Sequence, residues 1–410
     1  MFNVKKIRED FPMLKTTMEH QQLIYFDNAA TTFKPQSVID EVVNYYENEC
    51  VNIHRGDYEL SHTVSKKYDD TRKHVANFIG AKSEKEIVFT SGASESLNLI
   101  AQSFGLNNLK KGDVILTTEA EHASSILPWF NVAKKTGAVV EFIDMDNEGK
   151  MHLDDIKKSI HDKVKVVVVA HVSNVLGYVN PIKEISRLAH EVGAIMVCDG
   201  AQSVAHMPIN VVDLDVDFFC FSAHKMLGPT GVGVLYGKYD KLNGMDPVLF
   251  GGGSNARFNM CGDVVLKQAP DKFESGTRNI EGILGFNKAI EYLESIGMDT
   301  VEKVERELYE YMMEKLKKMD NLILYNPNAD TAIIAFNVKG IFAQDVAAYL
   351  SKFGIGVRAG NHCAKILLEV LGTNETLRAS LYFYNTKEEI DKFIEVLSDI
   401  TLEKTIDIYL

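Results

Sequence analysis

A chain of 410 residues with 46% hydrophobic and 25% charged side chains has the composition of an ordinary globular protein, long enough for more than one core. Its net charge of −13 argues against a nucleic-acid-binding surface and against adhesion to anionic membrane. No apolar run reaches the roughly 20 residues that span a bilayer, and MFNVKKIREDFPML lacks the apolar stretch and cleavage site of a signal peptide, so a cytosolic protein is expected.

Residues 1–20 read as a short helix and a lead-in. The strand LIYF follows, then the turn Asp27-Asn28-Ala29-Ala30-Thr31-Thr32, whose small and polar residues can approach a ligand closely. Val38, Val42, Val43 and Tyr46 give a helix over 37–46. Asn52 to Gly56 form a polar loop before a long helix that starts near Ser61 or Thr63 and ends near Ile79. Arg55 in that loop suits a surface cap or ion pair, and equally a phosphate or carboxylate contact.

From residue 87 the pattern becomes strand–helix–strand. Ile87–Thr90 is a strand, and Ser91-Gly92-Ala93-Ser94-Glu95 opens a helix. Backbone N–H groups at such a start make an anion site, with the Ser94 hydroxyl at hand; a plain helix cap is the competing reading. The spacing is neither a Walker A loop nor GxGxxG. Val114–Thr118 is the next strand, and His122 just beyond it could lie flat on an aromatic cofactor and move protons. A helix over 125–136 and a strand over 139–143 lead to Val164–Ala170, apolar enough to be buried on both faces, which ends in His171, Ser173 and Asn174. A helix over 181–192 precedes the strand that ends at Asp199.

Asp199, at the C-terminal end of its strand, either pairs with a protonated pyridine nitrogen or caps a helix; Gln202 could donate to a ring oxygen. The next strand ends in Ser222-Ala223-His224-Lys225-Met226-Leu227-Gly228-Pro229-Thr230-Gly231. A lysine in such a turn is often a solvated surface residue, but a crevice there favours the free amine that Schiff-base chemistry needs. Polar residues after five strands gather at one sheet edge, which describes a doubly wound α/β sheet with its site along that edge.

After the strand 232–236, residues 247–278 read as an extended loop region able to reach another subunit. Helices are expected over 282–296 and 301–319, then a smaller α+β unit with strands at 332–336 and 379–383 and helices at 344–353 and 387–402. Of the five cysteines, Cys50, Cys198, Cys220, Cys261 and Cys363, none forms a CxxC pair or zinc-ligand spacing, and no metal is expected. Cys198 and Cys220 fall in apolar strands as small hydrophobes. Cys363 lies instead among Gly360, Asn361, His362 and Ala364, where an imidazole or a cofactor could favour its thiolate. Arg358 and Arg378 suit a carboxylate gripped by two parallel hydrogen bonds, or internal ion pairs.

Taken together, the sheet-edge residues, the His-Lys-x-x-Gly-Pro-Thr-Gly turn and the Gly-Asn-His-Cys-Ala loop resemble a group II cysteine desulfurase. This is the SUF-system branch of the class V aminotransferase superfamily of fold-type I pyridoxal phosphate enzymes, and the likeness runs from Asp27-Asn28-Ala29-Ala30 to Arg378-Ala379-Ser380. It implies a large domain over 21–290 with a mostly parallel seven-stranded sheet. It also implies a small α+β C-terminal domain over 291–410 carrying the cysteine loop, and an N-terminal segment, 1–20, packed on that small domain. It implies that Lys225 carries pyridoxal 5′-phosphate, His122 stacks on the ring, Asp199 holds the pyridine nitrogen and Gln202 the ring oxygen. The phosphate would be held by Ala93, Ser94, Ser222, His224 and the partner subunit's Thr277. Arg378 would bind the substrate carboxylate, with Asn174, Arg358 and Arg55 nearby.

The implied reaction takes L-cysteine to L-alanine and leaves the sulfur as a persulfide on Cys363. A small sulfur-acceptor protein of the SUF system would take it for iron–sulfur cluster assembly, and a homodimer is implied. Selenocysteine lyase, or another pyridoxal phosphate lyase or aminotransferase on the same scaffold, is the alternative. Asn361 stands where the family loop carries a second histidine, Lys365-Ile366 follow Ala364 where a polar or methionine residue and proline are usual, and Arg278 replaces a common proline. Ser254-Asn255 replace a glutamate-methionine pair after Gly251–Gly253. The resemblance implies that these departures fall in loops lining the approach to Cys363.

Overall fold

The computed structural model describes residues 2–408. Its centre is a seven-stranded sheet built from β1 (Ile87–Thr90), β2 (Val114–Thr118), β3 (Val139–Ile143), β4 (Val164–Ala170), β5 (Ile195–Asp199), β6 (Phe218–Ser222) and β7 (Gly233–Gly237). The strand order is β1-β7-β6-β5-β4-β2-β3, parallel throughout except for β7, which runs antiparallel to both β1 and β6.

The near-continuous apolar strands follow from burial on both faces. Successive side chains of a strand point to opposite sides. Val166 and Val168 accordingly pack into one apolar cluster, with Leu97, Ile100, Trp129 and Val132 from helices α3 (Ala93–Ile100) and α4 (Ala123–Thr136). Val167 and Val169 pack into another, with Val38 of α1 (Gln36–Asn44), Val64 and Tyr68 of α2 (Glu59–Phe78), Ile182 and Ile185 of α5 (Ile182–Glu191), and Phe286 of α6 (Ile280–Ile296). Edge strand β3 is only partly covered, as its mixed sequence VVEFI requires.

A further helix, α7 (Met298–Leu316), leads to a four-stranded antiparallel sheet of β10 (Leu322–Leu324), β11 (Ile333–Val338), β12 (Arg358–Gly360) and β13 (Thr376–Ser380), in the order β10-β11-β13-β12. Its core joins Leu308 and Met312 of α7 to Ile334 and Phe336 of β11, Val346 of α8 (Ala343–Lys352), and Phe393 of α9 (Lys387–Ser398). Ile24 and Phe26 belong to this core too, because Ile24–Tyr25 pairs in parallel with Ile355–Gly356. The seven-stranded sheet with a smaller C-terminal α+β unit is therefore the architecture the sequence led one to expect.

Three local readings are corrected. The expected strand over 379–383 ends at Ser380; Tyr382, Phe383 and Tyr384 continue the apolar run because they plug the main core against Phe11, not because they pair. The helix expected over 387–402 stops at Ser398, and a separate turn of helix spans Leu402–Asp407. The extended region over 247–278 contains a hairpin, β8 (Asn255–Phe258) with β9 (Val264–Leu266). Its tip bears Met260, and Phe258, Met260, Val264 and Val265 are all exposed.

Candidate active site

The parallel strands deliver their following residues to one rim, where a cavity of about 230 Å³ opens. Lys225 lines it, at the end of the single 3₁₀ turn Ala223–Lys225 that follows β6. Met226 and Gly228 both donate their N–H to the Ala223 carbonyl at 2.9 Å, which closes the turn. Burial lowers the Lys225 amine to a pKa of about 8; Asp199 opposes the fall, and Arg378 and Arg358 add to it. A lysine so placed is free amine in about a tenth of molecules at neutral pH, several hundred times the fraction of a solvated lysine.

Asp199 ends β5 and is buried. Its Oδ2 accepts from Ser125 Oγ at 2.7 Å and its Oδ1 from the Ala201 N–H at 2.9 Å. No cation lies within ion-pairing distance of it among the described residues, so the carboxylate keeps capacity for a ligand N–H⁺. His122 caps α4 and accepts the Ser124 N–H on Nδ1 at 3.1 Å, which leaves its proton on Nε2. Burial and then the Lys225 charge lower its pKa, so the ring is neutral. Gln202 donates Nε2 to the Ala29 carbonyl at 2.9 Å, while its Oε1 is buried without a partner.

The start of α3 faces the same cavity. Ala93 donates its N–H to Ser222 Oγ at 2.8 Å, and Ser94 and Ser124 hydroxyls meet at 2.6 Å. Gly233 lets β7 pass against Gly92 there: a Cβ on Gly233 would sit 2.3 Å from Gly92 Cα. Backbone amides, hydroxyls and the His224 ring, which burial holds neutral with a pKa of about 4, thus form a cradle of donors.

The second wall comes from the C-terminal sheet. Cys363 is exposed on a loop in which His362 and Cys363 both take positive φ, +51° and +58°. Three contacts hold that strained backbone. Asn361 Oδ1 accepts the Cys363 N–H at 3.1 Å, the Cys363 carbonyl accepts from the Ala123 N–H at 2.7 Å, and the His362 carbonyl accepts from Asn174 Nδ2 at 2.9 Å. His362 Nε2 meets Thr376 Oγ1 at 2.9 Å, and burial lowers its pKa to about 3. Asn361, the departure from the family loop, is therefore a cap for the cysteine. Cys198 and Cys220 are buried, and burial pushes both thiols far above the ordinary range.

Arg378 is buried; Nη1 donates to the Asn174 carbonyl at 2.9 Å and Nη2 to Asp27 Oδ1 at 3.1 Å. Arg358, half exposed, reaches Asp27 Oδ2 at 3.3 Å. Asp27 therefore bridges both arginines, a role its place in a turn did not announce. Its only sequence signal was the position directly after a strand. Ser125 and His362 were likewise missed as supports of Asp199 and of the cysteine loop.

The structure thus gathers Lys225, His122, Asp199, Gln202, Ala93, Ser94, Ser222, His224, Asn174, Arg358, Arg378 and Cys363 around one cavity. It does not bring Thr277 or Arg55 there. Arg55 lines a second cavity with Asn52, Gly253, Gly276 and Arg278, and Thr277 Oγ1 accepts from Asn52 Nδ2 at 3.4 Å beside it.

The donor set fits pyridoxal phosphate. Lys225 offers an amine to an aldehyde, Asp199 an uncompensated buried carboxylate to a pyridinium, and the α3 start an anion cradle; Gln202 is corrected from the expected donor to an orphaned Oε1 acceptor for a ring hydroxyl, because its Nε2 is taken by the Ala29 carbonyl. A family model described as aminotransferase class-V matches residues 24–393. A probable cysteine desulfurase of Halalkalibacterium halodurans is 44% identical over 95% of this chain and 96% of its own. A cysteine desulfurase of Haloferax volcanii is 42% identical over 96% of each. Among solved structures, the apo cysteine desulfurase of Thermococcus onnurineus superposes with a TM-score of 0.93 at 40% identity, covering 97% of this chain and 98% of that one. The Escherichia coli cysteine desulfurase CsdA gives 0.91 at 32%, covering 100% and 99%.

Proposed function

The chain belongs to the class-V aminotransferase family, and from that membership and its site we propose that it is a pyridoxal phosphate-dependent cysteine desulfurase. One observation carries the proposal: the Lys225 amine, the Asp199 carboxylate and the Cys363 thiol share a single cavity. When bound, pyridoxal phosphate supplies an aldehyde carbon for amines and a ring that takes up the charge left by a departing proton. Lys225 would hold that group. Asp199, oriented by Ser125, would keep a proton on its ring nitrogen, and neutral His122 would cover its face. The start of α3 with Ser94, Ser222 and His224 would hold the phosphate.

Arg378 offers the substrate α-carboxylate a buried cation, and its pairing with Asp27 fixes the guanidinium plane beforehand. Lys225, as a free amine, would take the Cα proton of the bound substrate. Cys363 as thiolate attacks the substrate sulfur; the substrate C–S bond breaks, the S–S bond forms, and the carbon is protonated. L-Cysteine and a thiol thereby become L-alanine and a persulfide, with atoms and electrons balanced. Exposure of Cys363 supports passing its outer sulfur to another protein, a small acceptor of the SUF type serving iron–sulfur cluster assembly.

A homodimer in the cytoplasm completes the reading. It is supported by the exposed apolar hairpin and by the placement of Thr277 and Arg55 beside a second cavity, from which they would serve the partner's site. No helix among the described residues is long and apolar enough to cross a membrane.

An anaerobic single turnover with L-cysteine, run on the wild type and on Cys363→Ser, tests the function. One alanine per site and a gain of about 32 Da on the Cys363 peptide are expected, both lost in the variant. Alanine formation untouched by the substitution would sink the role of Cys363. A cofactor-loaded protein making no alanine would sink the substrate.

A further inference from the structure

Lys225 has to leave from the same place and return to it in every cycle, yet its side chain is flexible. Its one fixed reference is its backbone, here a single 3₁₀ turn rather than a long helix. Two residues on, Leu227 sits at φ +64°, in the left-handed region that a branched side chain avoids. Something outside the turn must hold it.

That support comes from the turn at residues 31–34, far away in the chain. The carbonyl of His224, directly before Lys225, receives four donors: Thr32 N–H at 3.1 Å, Thr31 Oγ1 at 3.0 Å, Thr32 Oγ1 at 3.3 Å and Lys34 Nζ at 2.8 Å. A carbonyl oxygen has two lone pairs, so four converging donors mark it as a fixed point rather than an incidental contact. Thr32 Oγ1 also accepts the Leu227 N–H at 2.9 Å, so one threonine spans the strained end of the turn.

Lys34 makes no ion pair with a carboxylate among the described residues. Its amine is spent on His224 O, on Thr32 O at 2.5 Å and on Thr31 Oγ1 at 3.4 Å, and burial lowers its pKa to about 7. Placing a desolvated amine there without a counter-ion is costly, and a solvated lysine would bring none of that cost. The segment is itself anchored, since Phe33 donates its N–H to Tyr384 Oη at 3.1 Å.

We propose that Lys34 is a positioning residue for Lys225. With Thr31 and Thr32 it clamps the His224 carbonyl, so that the catalytic amine swings from an immobile root. The inference rests on the reading of Lys225 as the cofactor-bearing base. It places Lys34 in the proton-transfer step and outside substrate binding.

The test uses holoenzyme with L-alanine, which has no sulfur to lose, in heavy water. Exchange of its Cα hydrogen reports proton transfer, and the cofactor absorbance reports its affinity. Lys34→Met should slow exchange about 10- to 100-fold while the dissociation constant stays within about twofold. The amides of the Met226–Gly228 peptide should exchange faster than in the wild type, and Lys34→Arg should restore most of the rate.

Should Lys34→Met fold poorly, Thr31→Val removes one donor to the same carbonyl and should slow exchange about threefold on the same terms. A wild-type exchange rate in these variants, or rate and affinity falling by equal factors, overturns the clamp. Lys225→Ala separates the two claims by borohydride reduction. If that variant still fixes cofactor covalently, the reading of Lys225 falls. If fixation is lost while Lys34→Met behaves as wild type, only the clamp falls.

Discussion

The lysine turn after β6 and the cysteine loop after β12 hold the two reactive groups of one cavity by opposite means. The lysine is desolvated and its turn is tied to a distant segment by several hydrogen bonds. The cysteine is exposed, on two consecutive residues of positive φ held by only a few contacts. The difference follows from the chemistry. An amine is available as nucleophile or proton acceptor at neutral pH when burial lowers its pKa, so it gains from a closed, rigid setting. A thiol proposed to pass sulfur to another protein gains from a surface position, and strain there costs little if a cap and two carbonyl contacts hold it.

That contrast can be broken by attacking either side. The largest effect is expected on the rigid side. Gly233→Ala would push a methyl group within 2.3 Å of Gly92 Cα. A strain of ~1–3 kcal/mol at the cradle should weaken cofactor binding about tenfold to a hundredfold, measured by absorbance titration. Alkylation of Cys363 in the same variant should keep its wild-type rate. If the thiol changes in parallel, the two regions are not independent.

A pH series comes next in size. Because the Lys225 amine has a pKa of about 8, its capture of an aldehyde by apo-protein should rise about tenfold from pH 7 to 9 and then level, instead of climbing toward the 10.5 of a free lysine. The sign for stability agrees. Between about pH 8 and 10.5 the unfolded chain binds the proton that the folded chain has lost, so apo-protein stability gains a rising contribution across that window. A capture rate still climbing above pH 9 would show that the turn does not desolvate the amine. On the cysteine side, His362, with a pKa near 3, is already neutral, so no step from it is expected in Cys363 alkylation between about pH 5 and 7.

Asn361→Ala should give the smallest change. It removes the acceptor for the Cys363 N–H, worth ~1 kcal/mol, and should slow multiple-turnover alanine formation about fivefold. Cofactor capture by Lys225 should be untouched. A loss of capture would mean that the loop also shapes the lysine's surroundings.

The strand cores were legible because their periodicity is local. A run such as KVVVVA has apolar side chains for both faces of a sheet, and its length sets a strand. The hairpin over 255–266 was not, since its exposed residues alternate weakly; the left-handed Gly262 at its tip, φ +86°, was the available signal. The end of β13 was misplaced for a related reason. Aromatic residues 382–384 carry the apolar run into the core, and hydropathy does not distinguish packing from pairing.

At the site, sequence alone determined which residues stand at strand ends, where an α/β sheet exposes its chemistry: Thr90, Thr118, Ala170, Asp199 and Ser222 with the groups that follow them. Only the tertiary structure decided that Asp27 bridges Arg358 and Arg378, that Asn174 and Ala123 hold the cysteine loop, and that Lys34 grips the carbonyl before Lys225. These contacts join residues roughly 190 to 350 positions apart, the link between Ala123 and Cys363 at 240 among them. Spacing along a chain encodes the period of each element. Which loops meet across a cavity is settled by how the two sheets pack against each other.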